Sequence, residues 1–322
     1  MAEDSARPIA SPVVAPQFRL RFLVTQLWPV IISMRPKQWT KSGAVFLALI
    51  FSVNQYWQPG DPSSWLPLLW RASAAAVAFC LASGADYLVN DIKDRESDRL
   101  HPRKSRRPIA SGRLSVEAAW AWAAIAAIAA LLIGFAIDWR TGAVVFAYLV
   151  LMQTYTYFLK HEVILDVMAI AAGFVLRAMA GAYAIDVPIS PWLYVVTGLG
   201  ALFLAITKRR AEVQLLAEDA IDHRRTLEHY TVAFVDQMTA MVTASTVIAY
   251  ALYTFTADNL PSNHAMMATI PFVVYGIFRY LFLSLSRNEG GNPEEVLLKD
   301  VPLILTVIGW IVTSMVILTA YR

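Results

Sequence analysis

The chain has 322 residues, 57% of them hydrophobic, with 27 Lys and Arg against 24 Asp and Glu and a net charge of +3. An ordinary soluble domain is about 45–50% apolar, so this composition argues against a soluble enzyme and for an integral membrane protein. Its one cysteine, Cys80, excludes a disulfide framework or a thiolate metal cluster built within the chain.

Residues 1–17 carry Pro8, Pro12 and Pro16 with few large apolar side chains and read as a disordered tail. Residues 18–34 interleave Arg19 and Arg21 with Phe18, Leu20, Phe22, Leu23, Leu27 and Trp28, a pattern suited to a helix lying in the membrane interface. A spanning helix needs about 20 mainly apolar residues. Nine stretches qualify: 36–56, 65–89, 115–137, 141–159, 163–185, 191–207, 231–256, 265–285 and 301–321. They predict one all-α, nine-helix membrane domain over residues 35–322. When the loops are assigned alternately to the two sides, 22 of the 27 basic residues fall on one side. Cytoplasmic loops near spans retain Lys and Arg, so the N-terminus is expected in the cytoplasm and the C-terminus outside.

The second span runs straight into VNDIKDRESDRLHPRKSRRP, residues 89–108. Asp86, Asn90, Asp94 and Asp98 recur every four residues, so a helix continuing past the bilayer places them on one stripe, with Asp91 beside it. Like charges at that spacing oppose a helix, and carboxylates converging at a membrane edge favour a hard cation. Mg2+ suits them, because it takes one or two carboxylates and spends other positions on substrate phosphates. Lys104, Arg106 and Arg107, set between Pro102 and Pro108, can then hold the outer oxygens of a diphosphate. A bare charged loop would more often be a solvated face; the ordered Asn-Asp-x-x-Asp-x-x-x-Asp spacing outweighs that reading.

This string, NDIKDRESD at residues 90–98, resembles the NDxxDxxxD motif of the UbiA superfamily of membrane prenyltransferases. Residues 87–112 (YLVNDIKDRESDRLHPRKSRRPIASG), 35–41 (RPKQWTK), 155–166 (YTYFLKHEVILD) and 207–212 (TKRRAE) are most similar to one branch of it. That branch moves phosphoribose from phosphoribosyl diphosphate (PRPP) onto a polyprenyl phosphate such as decaprenyl phosphate, toward lipid-linked arabinose and the arabinan of cell-wall arabinogalactan. The resemblance implies nine transmembrane helices in the inner (cytoplasmic) membrane with the active site facing the cytoplasm. It also implies Mg2+, or Mn2+ in its place, on Asp91, Asp94 and Asp98 with Asn90. The implied substrate-binding residues are Asn90, Lys37, Lys41, Lys104, Arg106, Arg107, Lys160, Asp166, Lys208, Arg209, Glu212 and one of Tyr155 and Tyr157. Three departures stand out: Ser42 follows Lys41 where relatives carry Asn, the Tyr-x-x-x-Lys spacing is replaced by Tyr155 five and Tyr157 three residues before Lys160, and the second aspartate motif is reduced to Asp166.

Read physically, the donor and acceptor together bring three phosphate-bearing groups, more negative charge than one metal balances. Lys37, Lys41, Lys160, Lys208, Arg209 and Arg210 all fall at the cytoplasmic mouth, although any one of them alone is more often a snorkelling residue. Asp166 and Arg177, eleven residues apart, share a face of the fifth span. Asp166 is read as a metal or ribose contact, Arg177 as a structural partner of a carboxylate on a neighbouring helix. His101, His161, His223, His229 and His264 show no metal-ligand spacing. The expected partners are therefore PRPP, a polyprenyl phosphate and membrane lipids. No nucleic acid is expected, and an oligomer is compatible with the sequence.

The expected chemistry is substitution at C1 of the ribose, with the acceptor phosphate already anionic and in need of no general base. The rival in the same superfamily uses a prenyl diphosphate donor and an aromatic or glycerol-phosphate acceptor. A more distant rival is a transporter whose cation entrance is the acidic stripe. A transporter should carry ionisable groups at mid-membrane in several spans, whereas here, Arg177 and Arg279 apart, most of the charges gather at one surface.

Overall fold

The computed structural model describes residues 27–102, 104–188, 190–218, 230–286 and 293–322. The expected tail 1–17, and the expected interfacial helix as far as residue 26, lie outside them. Among the described residues every named element is helical, and β pairing is limited to one isolated bridge between Val53 and Trp57.

The described end of the expected interfacial helix is α1 (Leu27–Ser33), which buries Val30 and Ser33 and exposes Leu27, Trp28, Ile31 and Ile32. A tight 3-10 helix, Pro36–Phe46, follows and runs into α2 (Leu47–Phe51). Then come α3 (Pro62–Lys93), α4 (Arg95–Leu100), α5 (Val116–Ile137), α6 (Trp139–Tyr157) and α7 (Leu165–Ala184). The chain closes with α8 (Pro191–Glu218), α9 (Val232–Thr256), α10 (Ile270–Ser286), α11 (Pro293–Lys299) and α12 (Val301–Tyr321).

Among the described residues, seven segments are long and apolar enough to cross a membrane: α3, α5, α7, Pro191–Gln214 of α8, α9, Ala265–Leu285 and α12. Two of the nine expected spans take other forms. Residues 36–56 contain the 3-10 helix, whose 2.0 Å rise per residue is invisible in a hydropathy pattern. Residues 141–159 become α6, 19 residues long, whose apolar centre is flanked by Arg140 and by Gln153, Thr154, Tyr155, Thr156 and Tyr157.

α3 sets the height of the site. Asp61 caps its start by accepting a hydrogen bond from the Ser63 amide at 3.0 Å, with Pro62 in the first position, where a missing N–H costs nothing. Its 32 residues extend roughly 48 Å at 1.5 Å each, more than the ~30 Å hydrocarbon core. One end can therefore stand in the apolar layer while the other carries charge. The apolar part packs chiefly on α5, where Ala75, Ala78, Ala82 and Ala85 meet Ala118, Ala119, Ala123, Ala126 and Ala130, all buried. Small residues allow that closeness, on which helix association in lipid depends.

The same closeness governs the crossing of α7 over the 3-10 helix. A methyl group on Gly181 would collide with the backbone carbonyl of Val45, which no side-chain rotation can relieve. Gly181→Ala should therefore lower stability by about 1–3 kcal/mol, read as a drop in the thermal unfolding midpoint of purified protein. Gly43→Ala, in open space on the same 3-10 helix, is the control. Equal midpoints for the two variants would mean that the crossing is loose.

Candidate active site at the charged end of the bundle

The acidic stripe forms as its spacing predicts, with one kink. Asp94 interrupts the helix between α3 and α4 at φ −88°, ψ 5°, yet the ladder persists across it. The Asp94 amide donates to the Asn90 carbonyl at 2.9 Å, and the Asp98 amide donates to the Asp94 carbonyl at 2.8 Å. Asp91 and Asp98 are 2% and 3% exposed.

Three of these carboxylates, Asp91, Asp94 and Asp98, are each met by a basic side chain from another segment. Arg35 Nη2 reaches Asp91 Oδ1 at 2.5 Å while its guanidinium lies over the Tyr87 ring at 4.6 Å. Arg107 Nη1 bridges Asp91 Oδ1 at 3.1 Å and Asp98 Oδ2 at 2.7 Å. Lys160 Nζ, only 3% exposed, lies 2.8 Å from Asp94 Oδ1 and 3.4 Å from Asn90 Oδ1. Lys160 stands on a short 3-10 turn, Leu159–His161, between α6 and α7.

A second cluster stands at the same end, where α7 begins and α8 approaches its close. Asp166 is fully buried in the first turn of α7. Arg209 Nη2 lies 2.7 Å from Asp166 Oδ2, and Arg209 Nη1 also pairs with Glu212. Tyr230 donates to Asp166 Oδ1 at 2.8 Å and accepts from the Ile164 amide at 2.7 Å. Ile164 holds φ +71°, a costly conformation for a β-branched residue, and the Tyr230 contact fixes it. Burial, joined by the bond to Asp166, pushes the Tyr230 hydroxyl up to about 12, so it stays a proton donor at neutral pH.

The structure thus gathers Asn90, Asp91, Asp94, Asp98, Arg107 and Lys160 in one cluster and Asp166, Arg209 and Glu212 in another. Lys37, Lys104 and Arg106 are exposed around them, and Lys41 and Lys208 are half-buried. The two candidate tyrosines separate. Tyr157 is exposed and takes the Lys93 ammonium on its ring face at 4.2 Å, whereas Tyr155 is half-buried and acts on the charge of Arg209. Arg177 is buried as expected, but its contacts correct the expected carboxylate partner: it donates to Tyr148 Oη at 2.8 Å and to the Gly173 carbonyl at 3.0 Å, with its guanidinium 4.6 Å from the Tyr148 ring centre. Aromatic faces and a neutral hydroxyl spread its charge. Arg279 pairs in fork fashion with Asp300, at 3.1 and 2.7 Å. His101 turns inward to its own loop, accepting from the Lys104 amide at 3.3 Å.

Sequence reasoning gave no role to Arg35 or Tyr230. Arg35 opens one of the motif stretches, a usable signal; Tyr230 lies 64 residues from Asp166, and nothing local announces their contact.

A hard cation fits this donor set in kind. No group of three or more acidic or histidine ligands is preassembled among the described residues, but Asp91 and Asp98 already converge on a single positive nitrogen of Arg107. Carboxylate and amide oxygens are the ligands Mg2+ prefers.

A bundle of apolar helices with most of its ion pairs gathered at one end suits a membrane-embedded enzyme. The chain belongs to the UbiA prenyltransferase family, whose model matches residues 45–297, and it is a multi-pass membrane transferase. It is 33% identical over 319 residues to decaprenyl-phosphate phosphoribosyltransferase of Mycolicibacterium smegmatis, a match covering 96% of this chain and 95% of the relative. It is 33% identical over 289 residues to the enzyme of that name from Corynebacterium glutamicum, covering 88% and 84%. Its fold matches a UbiA homolog from Archaeoglobus fulgidus bound to GPP and Mg2+, with a TM-score of 0.68 at 18% identity over 91% of this chain and all of that one.

Tyr230→Phe removes a donor from Asp166 and an acceptor from the Ile164 amide, so it should cost about 1–3 kcal/mol in chemical or thermal unfolding. The hydroxyl ionises at a higher pH in the folded protein than the usual ~10. Its contribution is therefore complete below pH 10 and fades as the pH rises toward 12. The gap between wild type and variant should close across that window, and a constant gap would place the effect elsewhere.

Proposed function

We propose that the protein transfers 5-phosphoribose from PRPP to a polyprenyl phosphate and releases diphosphate, serving lipid-linked arabinose precursors of the cell wall. The observation that carries this reading is the burial of Lys160 and Arg209, 3% and 5% exposed at the charged end of the bundle. Buried cations are costly unless paired, and here each rests on a carboxylate within reach of the stripe or of Asp166, from which it can transfer to a phosphate. Two such positions suit a donor carrying both a diphosphate and a separate 5-phosphate. A prenyl diphosphate donor would need only one. Similarity over most of the chain to decaprenyl-phosphate phosphoribosyltransferases supports the same choice.

In this mechanism Asp91, Asp94 and Asp98, with Asn90, would hold Mg2+ or Mn2+, which when bound would neutralise the charge of the departing diphosphate. Arg107, Lys104 and Arg106 take the outer diphosphate oxygens, and Lys160 stabilises the charge that develops as the C1–O bond breaks. Arg209, Lys208, Lys41 and Lys37 position the remaining phosphates, with Tyr155 rather than Tyr157 on their side, and Asp166 and Glu212 hold Arg209 in place. The polyprenyl phosphate oxygen forms the new bond to C1, and the electron pair of the old one leaves on diphosphate. The acceptor is already anionic, so no side chain has to remove a proton. Holding a soluble sugar phosphate and a lipid phosphate in one orientation is the larger part of the task.

The 3-10 helix contributes to a nine-span reading. Eleven residues at 2.0 Å and the five of α2 at 1.5 Å reach about 30 Å, enough to cross, and α6 is the ninth crossing. With the basic loops inside, the charged end faces the cytoplasm of the inner membrane. A cysteine placed at Ser105 should then resist an impermeant thiol reagent in intact cells and react after lysis. Labelling of intact cells reverses the orientation.

Asp94→Asn keeps an acceptor oxygen for Lys160 but removes a charge, as Asp91→Asn does for Arg35 and Arg107. Both should abolish transfer of labelled phosphoribose to lipid while the protein remains folded, and EDTA should do the same until Mg2+ is restored. Glu96→Gln, at an exposed position off the stripe, should leave turnover within about two-fold, as surface changes usually do. Lys160→Met and Arg209→Met should raise the KM for PRPP. Full activity of the Asp91 and Asp94 variants, or in EDTA, removes the metal platform and the mechanism with it.

A further inference from the structure

Asp86 is a buried carboxylate that this mechanism leaves unused. It lies four residues inward of Asn90 on the α3 stripe and is 7% exposed. The Thr156 hydroxyl donates to its Oδ1 at 3.3 Å, a long bond. Among the described residues no basic group comes within ion-pair distance, although Arg35, Arg177 and Lys160 all act on its charge. The two oxygens of a carboxyl group offer several acceptor sites, and the Thr156 bond fills one of them. Arg177, further along the same wall, keeps its Nε–H without a partner among the described residues. The wall beneath the diphosphate site is thus polar: Asn90, Asp86, Thr156, Tyr148 and Arg177.

The chemistry of that wall restricts what can hang below the diphosphate. An isoprenyl chain would strip water from a carboxylate and return no hydrogen bond, which is costly. A further phosphate would meet an acid where it needs a cation. A neutral group carrying hydroxyls meets neither difficulty and can donate to the open acceptor sites of Asp86. We propose that Asp86 accepts a hydrogen bond from a ribose hydroxyl of the donor and so selects a sugar diphosphate over an isoprenyl diphosphate. This rests on the sugar-donor reading above and adds a specificity-determining residue to it.

The test compares PRPP with its 2-deoxy and 3-deoxy analogues as donors, with wild type, Asp86→Ala and Asp86→Asn in membranes and kcat/KM for lipid labelling as the readout. Wild type should disfavour at least one deoxy analogue by about 10- to 100-fold, the worth of a hydrogen bond to a charged group. Asp86→Ala should bring that ratio close to one by losing activity on PRPP while keeping it on the analogue. Asp86→Asn, which preserves the size and the Thr156 contact, should fall between them and serves if the Ala variant does not fold. A ratio in the variants equal to that of wild type overturns the role of Asp86. So does a wild type that accepts both analogues as well as PRPP. A wild type that does not consume PRPP at all sinks the donor reading instead, so the two failures are told apart.

Discussion

The pairing of three stripe carboxylates with three basic side chains from elsewhere is the constraint on which the charged end of the bundle depends. Arg35 comes from the segment after α1, Arg107 from the loop after α4, and Lys160 from the turn between α6 and α7. Remove the carboxylates from α3 and these segments lose their common anchor; remove the cations and Asp91 and Asp98 become unpaired buried charges, each of which costs several kcal/mol in general. Neither half is stable without the other. The partners are side-chain ion pairs rather than apolar contacts, which is what the proposed exchange of one partner for a phosphate or a metal requires.

The two clusters at this end differ in balance. The stripe sets Asp91, Asp94 and Asp98 against Arg35, Arg107 and Lys160, an even match. The second sets Asp166 and Glu212 against Arg209, with Tyr230 as a neutral donor. There the negative charge is in excess, and Arg209 is shared between two carboxylates. Under the proposed function, cations already shared with carboxylates would accept several anionic groups without holding the product too firmly. The cost of separating them offsets part of the attraction.

How much of this was legible depended on the range of each interaction. The stripe was legible because a four-residue repeat is a local property of one helix, and it survives the kink at Asp94. Lys160 and Arg209 were legible through the stretches around them. Arg35 with Asp91 spans 56 residues and Tyr230 with Asp166 spans 64; pairings at such separations leave no periodic trace. Arg177 was legible as a buried charge but not as the neighbour of Tyr148, since a carboxylate partner is the usual solution and aromatic faces the rarer one. Span counting met a different obstacle: hydropathy records how apolar a segment is, not its rise per residue, so the 3-10 form of Pro36–Phe46 could not be read from it.

The position of Arg35 shows how the apolar and charged parts of the fold are coupled. Gly84, one turn and a half before Asn90 on α3, leaves room for Met34; a methyl group there would strike Met34 Cε and press on its Cγ and Cβ, so the Met34 side chain would have to shift. Met34 is buried with Val30 against Ala85 and Leu88, and this apolar contact fixes the chain where it enters Arg35. Arg35 then adopts φ +54°, an uncommon value for a residue with a side chain, with Pro36 fixing the next step into the 3-10 helix. The strained backbone persists because packing on one side and the Asp91 ion pair on the other both require it. The geometry of a charged group at the mouth is thereby set by the absence of a side chain two turns deeper in the bundle, which is why a substitution at Gly84 would act on the site without touching any charged residue in it.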